Sequence, residues 1–216
     1  MPKYKHILFD LDGTITDSFD AITKSVAYAL DFFGIKVDDR ITLSPFIGPP
    51  LREAFRDMFG FDEEKALEAV AKYREHYQVH FLREHLIYDD VDKLLCDLHR
   101  DGFKLYLATT KPIVLAEQII RHFDLEKYFT FLGGASMDKK RDTKNSVLDY
   151  VFEECDIDKT SAIMIGDRFH DMEGAEHMGI DAMGVSYGFG SVDELLPYNP
   201  VFIAGSAKEI YDFLTK

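Results

Sequence analysis

The sequence predicts an α/β protein with a parallel-sheet core and an all-helical domain inserted after its first strand. Two observations lead to this fold class. Short, uniformly apolar strand patterns alternate with helical patterns in the second half of the chain, which is typical of a parallel sheet covered by helices on both faces. Between the first strand pattern and this alternation, residues 15–85 carry only helical and loop patterns.

The first part of the chain justifies the inserted domain. The opening run KHILFDLD is strand-like, and in the next run Ile22, Val26 and Leu30 recur on one helical face, with Gly34 able to end the helix. A loop, a short helix and a long helix follow, in the segments SPFIGPP, LREAFRDMFG and EEKALEAVAKYREHYQVHFL. We therefore expect a small helical domain over residues 15–85.

The remaining elements complete the core. A helix pattern, VDKLLCDLHRDG, comes first, and strands and helices then alternate. The predicted strands are KLYLATT, TFLGGAS, SAIMIGD, DAMGVSYG and PVFIAGS. The predicted helices between and after them are PIVLAEQIIRHF, TKNSVLDYVFEEC, FHDMEGAEHMG and AKEIYDFL. We expect residues 1–14 and 86–216 to form a Rossmann-like core, with the insert over the carboxyl ends of its strands, where such sheets bind ligands.

Composition limits the function classes. The 216 residues carry a formal net charge of -14, which argues against nucleic acid or an anionic membrane as a partner and leaves room for a small anionic ligand at a locally cationic pocket. Cys96 and Cys155 lie in helical patterns and are interpreted as buried thiols. No apolar run reaches membrane-spanning length. We expect a cytoplasmic protein, a monomer or a weak homodimer.

The first strand pattern ends in two carboxylates, Asp10 and Asp12. Residues two apart in a strand point to the same side, so these like charges repel, and a buried unpaired carboxylate is costly. An ordinary Asp-Gly turn is the alternative interpretation. The carboxyl ends of parallel strands share one edge, so Asp167 and Asp171 should come to the same place. Four carboxylates together predict a hard divalent cation, Mg²⁺.

Cationic and hydroxyl groups should complete this site. Thr109 and Thr110 end a strand, Lys144 starts the helix after TFLGGAS, and Gly13 offers backbone N–H groups to anionic oxygens. Asp10 is then placed as a nucleophile, and Asp12 as the group that exchanges a proton with the leaving group and with water. Phosphorus suits such a site, because phosphoryl transfer is catalysed mainly by positioning and charge stabilisation.

The motifs DLDGT, the strand-end threonine, the downstream lysine and GDRFHD resemble the four motifs of the haloacid dehalogenase superfamily. The resemblance covers essentially the whole chain, and the insert resembles the helical C1-type cap of the phosphoglycolate phosphatase branch. The segments FIGPPL, TTKP and YGFGS resemble phosphoglycolate phosphatases and 5′-nucleotidase-like proteins. The resemblance therefore implies a Mg²⁺-dependent phosphatase of small phosphorylated metabolites.

The resemblance also implies a role for each matching position. Asp10 would form an aspartyl-phosphate, and Asp12 would be the general acid/base, with its backbone carbonyl on Mg²⁺. Thr109 would bind the phosphoryl group, and Lys144 would neutralise it. Asp167 would be a direct metal ligand, with Asp171 behind it.

Two departures from the family pattern stand out. Asp89-Asp90 replaces a frequent Pro-Gly on a hinge connection, and Lys144-Asn145 replaces a frequent Lys-Pro. The nearby lysines Lys139 and Lys140 compete with Lys144 for the third motif.

The sequence leaves several roles and activities open. Arg52 either contacts a substrate carboxylate or phosphate or forms a surface salt bridge, and Lys111 is either a substrate contact or a solvated cation. A haloacid dehalogenase should lack the second carboxylate, so Asp12 argues against that activity. A phosphomutase of sugar phosphates or an inorganic pyrophosphatase would carry the same motifs. A non-catalytic phosphate-binding module is a further hypothesis, which the presence of Asp10 and Lys144 disfavours.

Overall fold

The computed structural model describes residues 3–138 and 140–216, and its elements follow the predicted order. The strands are β1 (His6–Phe9), β2 (Thr16–Asp17), β3 (Leu86–Ile87), β4 (Lys104–Pro112), β5 (Phe129–Ala135), β6 (Ala162–Gly166), β7 (Asp181–Val185) and β8 (Phe202–Ala204). The α-helices are α1 (Phe19–Phe32), α2 (Leu51–Phe59), α3 (Glu63–Glu84), α4 (Val91–Arg100), α5 (Ile113–His122), α6 (Lys144–Glu154), α7 (Phe169–Met178), α8 (Val192–Leu195) and α9 (Ala207–Leu214).

A six-stranded sheet in the order β5-β4-β1-β6-β7-β8 forms the core. All of the neighbouring strands in it pair in parallel. Every residue of β1 and of β6 is buried, which explains why these strands, apart from His6, are apolar rather than alternating. The predicted α/β fold with a Rossmann-like parallel sheet is confirmed.

The position of β1 in the sheet determines where the polar strand ends meet. β1 lies between β4 and β6, with Phe9 in register with Leu107 on one side and with Ile165 on the other. The residues that come after Phe9, Leu107 and Ile165 therefore lie side by side at one edge of the sheet.

Helix α6 brings a lysine to the same edge. Its N-cap is Thr143, whose hydroxyl accepts from the Ser146 N–H while the Ser146 side chain accepts from the Thr143 N–H. This capping box fixes the start of the helix at Lys144. Lys144 is consequently held in the first turn of a well-defined helix rather than in a loop.

The chain divides into two compact units, residues 1–16 with 87–216 and residues 17–86. The sequence places the insert at residues 15–85. Within the smaller unit, α1 packs against α3, and Phe46, Phe55 and Phe61 form an aromatic cluster. On α3, Tyr73, Tyr77 and Phe81 stack in succession and are buried.

The prediction of two buried thiols is wrong for one of them. Cys96 is exposed and Cys155 is partly buried, and both are free. Helix α4 buries Val91, Leu94, Leu95 and Leu98, so Cys96 lies on the opposite, solvent-facing side of the helix. In the described ranges, no helix combines the length and the apolar character that a membrane crossing requires.

Candidate active site

Three carboxylates meet at the carboxyl edge of the sheet. Asp10 follows β1, Asp167 follows β6, and Asp171 lies in the first turn of α7. All three are buried, and one oxygen of each lies within 4.8 Å of an oxygen of the other two. Carboxylates this close together repel one another, and burial strengthens the repulsion, so the cluster requires cations nearby.

Lys144 supplies one of those cations. Its Nζ lies 2.7 Å from Asp10 Oδ1, 2.7 Å from the Ala108 carbonyl oxygen and 2.7 Å from Asp171 Oδ1, and its side chain is 4% exposed. Burial lowers the pKa of Lys144, but the charges of Asp10 and Asp171 outweigh burial and raise it overall. The ammonium is therefore a fixed positive charge beside Asp10.

One lysine does not neutralise the whole cluster. Burial raises the pKa of Asp167 well above its ordinary value, and the neighbouring Asp171 and Asp10 raise it further. Burial also raises the pKa of Asp171 to about 6, against the lowering effect of Lys144. Both shifts mean that the ionised forms of Asp167 and Asp171 are destabilised in the metal-free site. A bound divalent cation would stabilise the ionised forms and lower both pKa values.

The oxygens of Asp167 are used in different ways. Oδ2 accepts from the backbone N–H of Phe189 at 2.7 Å and from that of Gly190 at 3.3 Å. Oδ1 is buried and has no hydrogen-bond partner among the described residues. An oriented carboxylate with one unsatisfied oxygen, next to two further carboxylates, fits a hard cation such as Mg²⁺.

The loop after β7 packs closely around Asp167. A Cβ added to Gly188 would lie 2.3 Å from the Gly13 carbonyl oxygen and 2.4 Å from Asp167 Cβ. Gly13 has a φ of +89°, and a Cβ there would lie 2.1 Å from Asp167 Oδ2. The Tyr187 hydroxyl donates to the Thr14 carbonyl oxygen at 3.0 Å. Two glycines thus let the DLDGT turn, Asp167 and the YGFGS loop approach one another.

Asp12 has a different partner from the other carboxylates. Lys111, near the end of β4, places its Nζ 2.7 Å from Asp12 Oδ2 and 3.1 Å from Asp12 Oδ1. The Thr109 hydroxyl accepts from the Lys111 N–H at 3.2 Å. The carboxylate of Asp12 does not belong to the three-residue cluster found among the described residues, so its predicted metal contact rests on its backbone carbonyl.

The arrangement of the site has a counterpart among known proteins. The haloacid dehalogenase-like hydrolase family model matches residues 7–185. The chain belongs to this hydrolase family.

Relatives of this hydrolase carry phosphatase and related names. A 5′-nucleotidase from Pseudomonas aeruginosa is 43% identical over 198 residues, which are 92% of this chain and 90% of the relative. The crystal structure of a predicted phosphatase from Clostridium acetobutylicum has a TM-score of 0.90 at 43% identity, covering 97% of both chains. Tyrosine-protein kinase PtkA from Mycobacterium tuberculosis is 37% identical over 187 residues, and the match covers 87% of this chain and 64% of that protein.

The remaining predicted residues of this hydrolase lie in several environments. Thr110 follows Thr109 in β4 and is partly buried. The Gly13 N–H donates to the Thr16 carbonyl oxygen at 2.8 Å, so in this structure that group serves the turn. Arg52 belongs to the smaller unit, where its Nη1 contacts Glu63 Oε1 at 3.0 Å.

Of the two competing lysines, Lys140 does not take the place of Lys144. Lys140 is 87% exposed and lies 3.6 Å from Asp138. Lys139 lies outside the described residues. The buried ammonium that contacts Asp10 is that of Lys144.

Sequence reasoning gave little weight to Lys111 and no role to Phe189 and Gly190. The pair Thr110-Lys111 at a strand end was a usable signal for the lysine, because the strand that carries Thr109 also carries Lys111 to the sheet edge. The donors in the YGFGS loop are backbone N–H groups, which every residue except proline carries, so the residue types there do not reveal them.

Proposed function

We propose that this hydrolase is a Mg²⁺-dependent phosphatase that cleaves small phosphomonoesters through an aspartyl-phosphate on Asp10. The observation that carries the proposal is the buried cluster of Asp10, Asp167 and Asp171 with Lys144 in contact with Asp10. The family membership and the phosphatase name among similar structures support the same reaction class.

The proposed metal site uses oxygen ligands. Asp10 and Asp167 would contribute carboxylate oxygens and Asp12 its backbone carbonyl, with Asp171 close behind. When bound, Mg²⁺ would screen the phosphate charge and fix the phosphoryl group in line with Asp10. Asp167 Oδ1 is the atom best prepared for this contact, since Phe189 and Gly190 already hold its other oxygen.

The protein groups would carry out the reaction in two steps. A carboxylate oxygen of Asp10 attacks phosphorus, the bond to the leaving oxygen breaks, and Asp12 gives its proton to that oxygen. Asp12 then takes a proton from water as the water oxygen attacks phosphorus, and the Asp10–phosphorus bond breaks. Lys144 stabilises the charge on the transferring phosphoryl group, and the Thr109 hydroxyl orients it.

The proposed substrates are phosphoglycolate or nucleoside 5′-monophosphates. The name of the Pseudomonas relative supports the nucleotide, and the resemblance of FIGPPL and YGFGS supports either. A phosphomutase of sugar phosphates and an inorganic pyrophosphatase would use the same first step and are the competing proposals. The smaller unit, residues 17–86, is proposed as the cap that selects the leaving group.

A screen of phosphorylated metabolites with Mg²⁺ tests the substrate class. We expect turnover of small phosphomonoesters, with little activity on a folded phosphoprotein or on nucleic acid. Separate assays with a sugar phosphate, pyrophosphate, and ATP with a tyrosine peptide test for mutase, pyrophosphatase and kinase activity. Excess chelator should abolish turnover, and Ca²⁺ should support little, because its looser coordination misplaces the nucleophile.

Asp10→Asn tests the covalent step. We expect turnover to fall below detection while the fold is retained, since an amide is a poor nucleophile. The measurement is phosphate release, with a circular dichroism melt as the control for folding. Full activity in this variant would remove Asp10 from the mechanism.

A further inference from the structure

Lys111 is a buried cation that the proposed mechanism has not used. It lies near the end of β4, two residues after Thr109, and its side chain is 6% exposed. A buried ammonium is costly unless it is paired. Here it is paired with the carboxylate that would exchange the proton, Asp12.

The contact geometry restricts the Asp12 carboxylate. Lys111 Nζ lies 2.7 Å from one carboxylate oxygen of Asp12 and 3.1 Å from the other, so a single ammonium holds both. Rotation of the carboxylate about its Cβ–Cγ bond would break at least one of these charge-assisted contacts. Asp12 is 16% exposed, so solvent replaces them only in part.

Within the part of the chain that the structure describes, two buried lysines contact different carboxylates. Lys144 contacts Asp10 and Asp171, whereas Lys111 contacts Asp12. The nucleophile and the proton-exchanging carboxylate must be oriented independently of each other. Lys144 contacts the first of them, Asp10, and Lys111 contacts the second, Asp12. This division gives Lys111 a role at the acid/base rather than at the nucleophile.

We propose that Lys111 is the positioning residue for Asp12, holding its carboxylate in the orientation that proton transfer requires. The proposal rests on the proposed function, in which Asp12 protonates the leaving group and then deprotonates water. Lys111 acts through Asp12 and does not take the proton itself. The role differs from a substrate contact, in which the ammonium would bind phosphate.

The two half-reactions separate these roles. With p-nitrophenyl phosphate the leaving oxygen departs as p-nitrophenolate and needs no proton, so the attack by Asp10 proceeds without Asp12. The second step still needs Asp12 to take a proton from water while the Asp10–phosphorus bond breaks. A mispositioned Asp12 should therefore slow only the second step, and the aspartyl-phosphate should accumulate.

Rapid-quench kinetics with p-nitrophenyl phosphate and Mg²⁺ tests the proposal. We expect Lys111→Met to show a burst of p-nitrophenolate approaching one per enzyme, trapped phosphoenzyme, and a steady-state kcat lowered about 10-fold or more, part of the share of acid–base catalysis. KM should fall together with kcat, so that kcat/KM is nearly unchanged, because kcat/KM depends only on the steps up to formation of the aspartyl-phosphate. Lys111→Arg, which can also contact both oxygens, should restore most of kcat.

Matched variants make the result specific. Lys140→Met removes an exposed lysine that lies 3.6 Å from Asp138 and should leave both phases unchanged. Asp12→Asn should give the same burst as Lys111→Met, because both disable the second step. Lys111→Gln, which keeps a polar N–H donor and can reach one oxygen, should give an intermediate burst and covers the case in which the methionine variant does not fold.

Different results would overturn the inference. A raised KM without phosphoenzyme accumulation in the Lys111 variants would assign Lys111 to phosphate binding. A burst in Asp12→Asn but none in folded Lys111→Met or Lys111→Gln would overturn the inference and leave the proposed function in place. Turnover of Asp12→Asn with no trapped phosphoenzyme, together with none in the Lys111 variants, would overturn both the inference and the proposed function.

Discussion

Asp167 links the charge of the site to the stability of the protein. Its side chain is buried, Oδ1 has no hydrogen-bond partner within the described residues, and burial together with Asp171 and Asp10 raises its pKa. In the unfolded chain the same group titrates near its ordinary value of about 4. Between the two pKa values the folded protein prefers a protonated Asp167, so its ionisation destabilises the metal-free fold.

Asp167→Asn should therefore stabilise the metal-free protein at neutral pH, by about 1–3 kcal/mol. The raised folded-state pKa sets the sign of the pH dependence. The wild-type protein loses stability relative to the variant as pH rises through the folded pKa, and the two converge below about pH 4, where both states are protonated. Melting in chelator from pH 4 to pH 8 measures the difference.

Addition of Mg²⁺ provides the control for this prediction. The wild-type melting temperature should rise with Mg²⁺, and that of Asp167→Asn should not, because the variant offers a neutral amide at the proposed ligand position. A variant that is less stable than wild type in chelator at pH 8 would contradict the argument from burial.

At the scale of single residues, the sequence predicted positions better than partners. The sequence predicts Asp10 and Asp167 at one sheet edge because both end strands of a parallel sheet, and Lys144 nearby because it starts a following helix; the three side chains meet there. Their catalytic roles stay predictions. The pairing of Lys111 with Asp12 and of Lys144 with Asp10 depends on where the side chains point at the end of β4 and at the start of α6. Sequence spacing does not predict those side-chain directions.

At the scale of elements, the YGFGS loop is the support of the proposed metal site. We expect Gly188→Ala to weaken Mg²⁺ binding about 10–100-fold, the usual effect of disturbing a group that orients a ligand. The reason is steric, since the new Cβ would lie 2.4 Å from Asp167 Cβ. Calorimetric titration with Mg²⁺ measures the loss independently of activity.

Gly205→Ala is the matched control for the loop variant. The nearest heavy atom to a Cβ at Gly205 is Glu209 Oε2 at 3.5 Å, an ordinary contact, so Mg²⁺ affinity should be unchanged. Equal losses in the two variants would indicate a general effect of the substitution rather than displacement of Asp167.

The turn before α4 accounts for one departure from the family pattern. Asp90, where the family resemblance leads us to expect glycine, has a φ of 60° and precedes the first residue of α4. Aspartate tolerates this left-handed conformation better than most residues, so the fold accepts the change. The sequence could not show whether Asp89 or Asp90 takes the strained position.

Alanine and glycine at position 90 should affect the stability of the protein differently. Asp90→Ala should lower the free energy of unfolding by about 1 kcal/mol, because the left-handed conformation costs alanine more than aspartate. Asp90→Gly should leave the stability unchanged or raise it, because glycine adopts this conformation without steric cost. Urea unfolding measures both. Asp89→Ala, at a residue without a positive φ, is the comparison, and equal effects of alanine at the two positions would exclude the backbone explanation.

At the scale of the whole molecule, the helical stretch that interrupts the strand–helix alternation is the sequence feature that predicts an inserted domain. The sequence does not indicate the substrate, because every phosphomonoester presents the same phosphoryl group to the residues of the core. Selection should therefore depend on residues of the smaller unit, and the chemistry of those residues follows no fixed motif.

Arg52→Ala tests this division of labour. We expect kcat/KM to fall about 10-fold or more for substrates with a second anionic group and to change little for p-nitrophenyl phosphate, which has none. Arg56→Ala is the control, because Arg56 lies one turn along α2 and contacts the other oxygen of the same Glu63. A uniform loss over all substrates would indicate a structural role for Arg52.

The central position of β1 has a consequence for synthesis on the ribosome. β1 ends at Phe9, but its neighbours β4 and β6 begin only at Lys104 and Ala162, so the nascent sheet has no partner for its first strand until much later. Residues 17–86 form their own compact unit, and we expect this unit to fold in the interval. Its two ends meet as β2 and β3, and closing an unfolded loop of that length would cost roughly 4 kcal/mol. Early folding of the helical unit thus holds β1 close to the point where the rest of the sheet emerges, and Asp10 acquires its neighbours only when the last third of the chain is translated.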